Sequence, residues 1–563
     1  MSASKLQESG EVRIAHSLHK KEEEFVVRRR EMVFQSLQKL QIHCSQTEVP
    51  NIALLGSGGG QRAMVGLLGS LVQLDKAGLL DCILYLSGVS GSTWCMASLY
   101  QEPDWSTKLE TVKDKIIERL SGSGVRWTDA LAKLKKYYNG KDFFSLTDVW
   151  AVIVVTKFVK EIDELTLTDQ WDHLSKDPFP IYTVIDKQCK QEEKRGVTAD
   201  PWFEISPHEA GYSLTGAFVD TSSFGSQFHK GSKKKHQPEM DMLYLQAMCG
   251  SALADGEENK KIFWEYIKDF FKHLIPIIEL EMFEESSKDP NDPPIHKCLQ
   301  VLMDLVDVNL AILNDTDPSD LVQSIRKTLK ELGGGKCQLI FPGGKSDLAE
   351  KQVAKSTEDV CAHLSNLFHS ELFVVQMLTR IFICMARWIW GRNYNFLHKM
   401  TDKKVPPTLL KSKTRDCEDA GLLLNSPYFS VLREERNIDL IISLDFSDGD
   451  PFTTVTETCK LCEELNIPFP EVNIPSEDLK KPKDFYVFKG QNKTPTVIHI
   501  PLFNYVNCGD DIKSWRKRYK TFQGPYSTEM ITALMKVSGK NISNNREKLL
   551  EEIRAAIKQK RHN

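Results

Sequence analysis

VPNIALLGSGGGQRAMVGLLGSLVQLDKAGLLDCILYLSGVSGSTWCMASLY, Val49 to Tyr100, is the stretch on which the fold turns. It reads as a buried strand, a glycine-rich turn, a helix ending near Gly78, a second strand, and a turn into another helix. Strands flanking a helix predict a βαβ unit and a parallel pairing. Further along, NIDLIISLDFS (Asn437 to Ser447), FPEVNI (Phe469 to Ile474) and TPTVIHIPLF (Thr494 to Phe503) predict more strands. Their near-continuous apolar character suits a sheet covered on both faces. The expected class is α/β, with a central, mainly parallel (mixed) sheet flanked by helices.

Outward from this block, residues 1–48 hold EFVVRRREMVFQSLQKLQI, apolar positions at helical spacing among dense charge, which predicts an amphipathic helix packed on the main body. Residues 49–563 then form one catalytic-sized block, interrupted at about 257–391 by a more polar, helical insertion of cap or lid character. Within the insertion, DPNDPP and GGGKCQLIFPGGKSD are turn-rich and expected to be exposed. ELFVVQMLTRIFICMARWIW, Glu371 to Trp390, is strongly apolar but broken by Arg380 and Arg387. It reads either as a buried helix or as a lid helix at a lipid-facing cleft.

The chain has 563 residues, 41% hydrophobic and 27% charged, an ordinary globular balance. A net charge of −4 gives no general attraction to nucleic acid, so any affinity for anionic surfaces must be local. The basic run KGSKKKH, Lys230 to His236, is one such local feature. The polar start predicts no signal peptide, Ser2 stands where myristoylation needs glycine, and no run reaches the roughly 18 uncharged apolar residues of a membrane span. Thirteen cysteines, an odd number, suit reduced thiols of the cytosol. The one CxxC, Cys459 and Cys462, lacks a second pair at zinc spacing and reads as two helical thiols.

Ser90 sits between Gly88 and Gly91 after an apolar strand, close to the G-x-S-x-G elbow but with the second glycine one place early. It is a candidate nucleophile or a small residue in a glycine loop. In Gly56-Ser57-Gly58-Gly59-Gly60-Gln61-Arg62 there is no G-K-[ST], which weighs against a P-loop. Side-chain-free N–H groups at Gly59 and Gly60 could instead face a developing oxyanion, each such donor contributing about 3–4 kcal/mol to the transition state. Arg62 falls in the first helical turn, where the macrodipole disfavours a cation unless an anion sits opposite. A base for Ser90 could be one of fourteen histidines or an acid. Asp419, in Asp419-Ala420-Gly421, is a candidate whose pKa an apolar pocket would raise, although spacing alone does not single it out.

Taken together, LGSGGGQRAM, SGVSGSTW and EDAGLLLNSPY with IDLIISLDFSDGDPF resemble the catalytic domain of the cytosolic phospholipases A2, related to patatin. DFFSLTDVWA, AGYSLTGAFVDTSSFGSQF, CGSALAD, WGRNYNFLHK and IPLFN extend the resemblance from about Val49 to Leu549. It implies a Ser/Asp dyad of Ser90 and Asp419, oxyanion donors at Gly59 and Gly60, and a phosphate-binding Arg62, with Arg436 as a second arginine of the site. It implies acyl transfer through an acyl-serine on glycerophospholipid or lysophospholipid at a membrane surface, with no cofactor, no metal and no nucleic acid. A lysophospholipase or transacylase on the same dyad, or an idle lipid-binding protein, are the alternatives.

Only 48 mostly polar residues precede the catalytic block, so a calcium-binding membrane domain is not expected there, and no EF-hand loop is visible. This resembles the short gamma type, which implies calcium-independent activity in the cytoplasm with peripheral membrane contact. That type ends in a prenylation box, whereas this sequence ends KRHN. Membrane contact is therefore expected from the Lys230–His236 run or the apolar helix.

Overall fold

The structure is a computed structural model that describes residues 12–197, 199–256, 258–285, 294–333, 339, 341, 346–368 and 373–563. The start of the chain, most of DPNDPP and most of GGGKCQLIFPGGKSD lie outside the described residues. The chain divides into two compact units. The first runs to Ser123 and includes Phe158–Ala252 and Asn393–Asn563; the second comprises Gly124–Lys157 and Leu253–Arg392.

The first unit is built on a twelve-stranded mixed sheet. Its strands are β1 (Arg13–Ile14), β2 (Ile52–Gly56), β3 (Tyr85–Gly88), β4 (Phe179–Asp186), β5 (Trp202–Ile205), β6 (Glu209–Tyr212), β7 (Ala217–Asp220), β10 (Arg392–Tyr394), β11 (Thr414–Asp419), β12 (Leu440–Asp445), β13 (Tyr486–Phe488) and β14 (Thr496–Pro501); β8 (Gln227–His229) and β9 (Ser232–Lys235) form a separate hairpin. The central order β4-β3-β2-β12-β14 is parallel throughout, with Leu54 opposite Leu86 on one side and Ile442 on the other. Antiparallel strands extend it outward from β4 and β14. Every residue of β2, β3, β4, β12 and β14 is buried, as expected of strands covered on both faces.

From β2 the chain moves to β3 on one side, and much later returns to β12 on the other. Strand order thus reverses at β2, and in open α/β sheets ligands bind beyond the carboxyl ends of the strands at such a point. β2 leads into α2 (Gly60–Lys76) and β3 into α3 (Gly91–Tyr100). The α2 helix lies so close to the helix Thr528–Ser543 that a Cβ on Gly69 would stand 2.3 Å from Ser538 Oγ.

The predicted N-terminal helix is α1 (Lys20–Lys39), which buries Phe25, Arg29, Val33 and Leu37, positions three or four apart on one face. Phe25 packs on Phe179 of β4 with ring centres 5.4 Å apart, and Arg29 donates from Nη2 to the Ile83 carbonyl at 2.9 Å. One strand prediction is corrected. FPEVNI forms no strand: Pro468 and Pro470 have no N–H for a ladder, and Phe469, Val472 and Ile474 pack their side chains on the core from an irregular segment. Cys459 and Cys462 lie on the helix Thr453–Leu465, and the described cysteines are free thiols.

The second unit is helical, with α4 (Trp127–Gly140), α5 (Glu258–Glu285), α6 (Ile295–Leu313), α7 (Ser319–Glu331), α8 (Asp347–Leu367) and α9 (Phe373–Arg387). The apolar stretch of α9 buries Val375, Leu378, Ile381, Phe382 and Met385. Phe382 meets Trp264 and Phe271 of α5, with ring centres 5.4 and 5.6 Å apart. Its apolar character is thus accounted for by packing within this unit.

Candidate active site

The carboxyl ends of β2 and β3 carry two turns that press against each other. Ser90, the N-cap of α3, has φ 52° and ψ −121°, a region that side-chain-bearing residues rarely occupy. The Ser90 side chain makes no cap bond to the helix, and Ser90 is 6% exposed. A Cβ on Gly91 would lie 1.8 Å from the Gly60 carbonyl oxygen. That close approach explains why glycine follows the serine directly rather than one place later.

The glycine loop is held from three sides. Ser57 N donates to Leu444 O at 3.1 Å, Ser92 Oγ to Ser57 O at 2.6 Å, and Phe446 N to Ser57 Oγ at 2.6 Å. Asn425 Nδ2 donates to Gly58 O at 3.1 Å. Gly59 and Gly60 have φ of 149° and 57°. Among the described residues neither of their N–H groups donates a hydrogen bond, so both are available to an oxygen in front of the first turn of α2.

Asp419 ends β11, which pairs antiparallel with β4. It is fully enclosed, and burial raises its pKa to about 7; the Ser90 hydroxyl and the Gly421 N–H pull it back down, while the neighbouring Glu418 charge adds to the rise. Its Oδ1 accepts from Gly421 N at 2.8 Å, and its own N–H donates to Ser251 Oγ at 3.1 Å. Oδ2 is buried with no bond that satisfies distance and angle together. Ser90 thus influences the carboxyl without a fully formed hydrogen bond, the loose pairing usual before substrate closes a site. The pair can deprotonate a hydroxyl beside two free N–H donors, the chemistry of acyl transfer.

Arg62 is buried behind the loop. Its Nε donates to Phe446 O at 2.7 Å, and its Nη1 to Tyr519 O at 2.8 Å and Thr521 Oγ1 at 3.2 Å. Nη2 lies 2.7 Å from where a Gly59 Cβ would be, and it carries no hydrogen bond among the described residues. Arg436 is corrected. Its guanidinium is enclosed in the first unit by Glu22 of α1 (2.9 Å), Glu204 of β5 (2.6 Å) and the Ser430 carbonyl (2.5 Å). Its bonds run to two carboxylates and a carbonyl, so the guanidinium is engaged in an internal ion-pair cluster joining α1, β5 and the segment before β12.

Asn425, Ser57, Ser92 and Ser251 escaped the sequence reading. Each acts through a hydroxyl or amide contact that joins distant segments; Ser57, Ser92 and Asn425 lie within a few residues of Gly59, Ser90 and Asp419, whereas Ser251 lies in CGSALAD, 168 positions before Asp419.

A parallel sheet with an elbow serine, a glycine loop and a buried carboxylate at its switch point defines a serine ester hydrolase. A family model described as a lysophospholipase catalytic domain matches residues 52–293. The chain is 33% identical to cytosolic phospholipase A2 gamma of Mus musculus, across 96% of this chain and 92% of that protein. It is 31% identical to cytosolic phospholipase A2 gamma of Homo sapiens, across 97% and 96%. The solved structure of human GIVD cytosolic phospholipase A2 shares the fold with a TM-score of 0.67 at 22% identity, covering 98% of this chain and 69% of that one. The chain belongs to the cytosolic phospholipase A2 family.

Proposed function

We propose that this protein is a calcium-independent phospholipase A2 that cleaves the fatty-acyl ester of glycerophospholipids through an acyl-serine. The observation that carries the reading is the strained Ser90 beside an enclosed carboxyl whose pKa is raised to about 7. A base poised there is half-deprotonated at neutral pH yet strong enough to accept the serine proton.

In this scheme Asp419 takes the Ser90 proton as Oγ attacks the acyl carbon. The Gly59 and Gly60 N–H groups receive the oxyanion, while Arg62 Nη2 faces the lipid phosphate. Collapse releases lysophospholipid, which leaves with the proton from Asp419. Water, deprotonated by the same carboxylate, then frees the fatty acid and restores Ser90. Neither nucleophile nor base needs a metal in this scheme. Among the described residues no helix is long and apolar enough to cross a membrane. Peripheral contact with intracellular membranes from the cytoplasm is part of the proposal, supported by the likeness to cytosolic phospholipases A2. Residues 1–48 are read as an N-terminal segment, and about 257–391 as a cap-like insertion in a catalytic domain of 49–563.

A second reading, lysophospholipase or transacylase action on the same dyad, is favoured by the match to a lysophospholipase catalytic domain. Wild type, Ser90→Ala and Asp419→Asn incubated with phospholipid vesicles in a calcium chelator test both. Fatty acid and lysolipid in equal amounts from wild type alone support the phospholipase. Fatty acid released only from added lysophospholipid supports the second reading. Equal hydrolysis by Ser90→Ala overturns the mechanism, and loss of activity on chelation overturns calcium independence.

A further inference from the structure

The segment after β14 carries a row of cations that the site does not use. Helix Ile512–Arg518 and the following loop read IKSWRKRYKTFQG, with Lys513, Arg516, Lys517, Arg518 and Lys520. Among the described residues none of the five is paired with a carboxylate, and the nearest acids in sequence, Asp510 and Asp511, precede the helix. Five like charges within eight positions repel one another, and an anionic surface brought against them relieves that repulsion.

The helix is fixed so that these charges face outward. Trp515 stacks on Tyr519 with centres 5.9 Å apart, and Phe503 lies 5.9 and 6.0 Å from the two rings. Tyr519 is buried and donates its hydroxyl to Met530 O at 2.8 Å. With the aromatic side of the helix turned inward, Lys513, Lys517, Arg518 and Lys520 are left exposed. Large apolar side chains are exposed in the same stretch of chain: Phe522 in the loop at 49%, and Val506 at 57% on the short helix Tyr505–Cys508.

The loop also touches the oxyanion turn. Arg62 Nη1 holds the Tyr519 carbonyl and the Thr521 hydroxyl, and Gln61 Nε2 donates to Gly524 O at 2.8 Å. Thr521 Cγ2 comes within 3.5 Å of where a Gly60 Cβ would be. An enzyme that takes its substrate from a bilayer gains from having its docking face adjoin the mouth of its site. Cations flanking an exposed aromatic are the composition of an interfacial anchor, with electrostatic attraction to anionic headgroups and an apolar side chain in the acyl boundary.

We propose that residues 512–524 form the face on which this protein docks to an anionic phospholipid surface, with Phe522 entering the bilayer beside the oxyanion loop. The proposal rests on the phospholipase reading for its choice of a lipid partner over another polyanion. The Lys230–His236 run differs: its hairpin strand β9 is exposed, Lys233 Nζ donates to Ser223 Oγ and Lys230 N to the His398 carbonyl, segments outside the glycine loop.

The test is sedimentation of the full chain with vesicles of phosphatidylcholine, with and without phosphatidylserine, at low and high salt. Wild type is expected to bind the phosphatidylserine vesicles more tightly, and salt to weaken that binding. Lys517→Ala/Arg518→Ala/Lys520→Ala should lose more than about tenfold in affinity for them. Phe522→Ser should weaken binding to both vesicle types, while Lys233→Ala/Lys234→Ala/Lys235→Ala should bind like wild type. Hydrolysis of a water-soluble monomeric ester should be unchanged in all three variants, which also shows that they fold. Repeating the binding series on Ser90→Ala protein separates the two claims, since failure of the catalytic reading leaves vesicle binding intact. Triple-variant binding equal to wild type, loss confined to the Lys233–Lys235 variant, or no preference for phosphatidylserine overturns the proposal.

Discussion

Gly58 and Asn425 hold each other by two hydrogen bonds: Gly58 N donates to the Asn425 carbonyl at 3.1 Å, and Asn425 Nδ2 donates to the Gly58 carbonyl at 3.1 Å. A Cβ on Gly58 would stand 2.9 Å from the Ser90 Cβ, so this clasp sets the depth of the oxyanion loop against the serine. Asn425→Ala removes one of the two bonds and the side chain that backs Gly58. It is expected to lower kcat by on the order of tenfold to a hundredfold with little change in KM. Steady-state kinetics on a soluble ester would show it; a change in KM alone would contradict a positioning role.

The raised pKa of Asp419 gives two opposite pH effects. As base it must be ionised, so kcat/KM should rise through an apparent pKa near 7 and level off above it. For stability the sign reverses. The folded chain holds this proton up to about pH 7, whereas the unfolded carboxyl releases it near the ordinary 3.8. Stability is therefore lost between those values as pH rises. Asp419→Asn should abolish hydrolysis yet raise Tm above wild type at pH 8, with a ceiling of roughly 4 kcal/mol if no relaxation occurs. Thermal melts of both proteins at pH 5 and 8 test this, the gap widening at the higher pH.

Strain at Ser90 has a cost of the same kind. Its φ of 52° and ψ of −121° are comfortable for glycine, and Ser90→Gly should stabilise the protein by about 1–3 kcal/mol while removing activity. Denaturant midpoints of Ser90→Gly and Ser90→Ala separate relief of strain from mere loss of a hydroxyl, because alanine keeps the Cβ.

Arg62 serves two duties that substrates can separate. Its Nε and Nη1 hold the Phe446 and Tyr519 carbonyls, and in the proposed scheme Nη2 faces the lipid phosphate. Arg62→Lys should reduce hydrolysis of a phospholipid at least about tenfold more than hydrolysis of an uncharged ester, since a single ammonium replaces a fork. Equal losses on both would make the residue structural only.

Lys190 pairs with Glu418 at 2.5 Å, both side chains buried, immediately beside the candidate base. Glu418→Gln removes a negative neighbour of Asp419 and should shift the kcat/KM profile toward lower pH. Lys190→Met leaves that charge uncompensated and should shift it toward higher pH, while destabilising by about 3–5 kcal/mol. Shifts in the same direction for both variants would rule out electrostatic tuning.

The parallel core and both turns were legible because their signals are local. An apolar run followed by glycines reports a strand that ends in a tight turn, and Gly59, Gly60, Ser90 and Arg62 lie inside such windows. Asp419 was not distinguishable by spacing, because its enclosure depends on β4 and Ser251 far away in the sequence; only the motif resemblance singled it out. Arg436 misled for the same reason. A cation at the end of VLREER looks like a surface charge or a ligand, and only the fold reveals Glu22, 414 positions away, as its partner. FPEVNI failed because apolar content alone does not make a strand when proline removes the ladder donors.

The Glu22–Arg436 pair bears on how short this polypeptide can be made. Glu22 stands on the first turn of α1, and both members of the pair are fully enclosed. A transcript or proteolytic product that begins beyond Lys39 would leave a guanidinium facing Glu204 alone and strip the cover from Phe179. Such a product is expected to be unstable rather than to persist as a smaller enzyme, because removing one member of an enclosed ion pair leaves the other charge uncompensated.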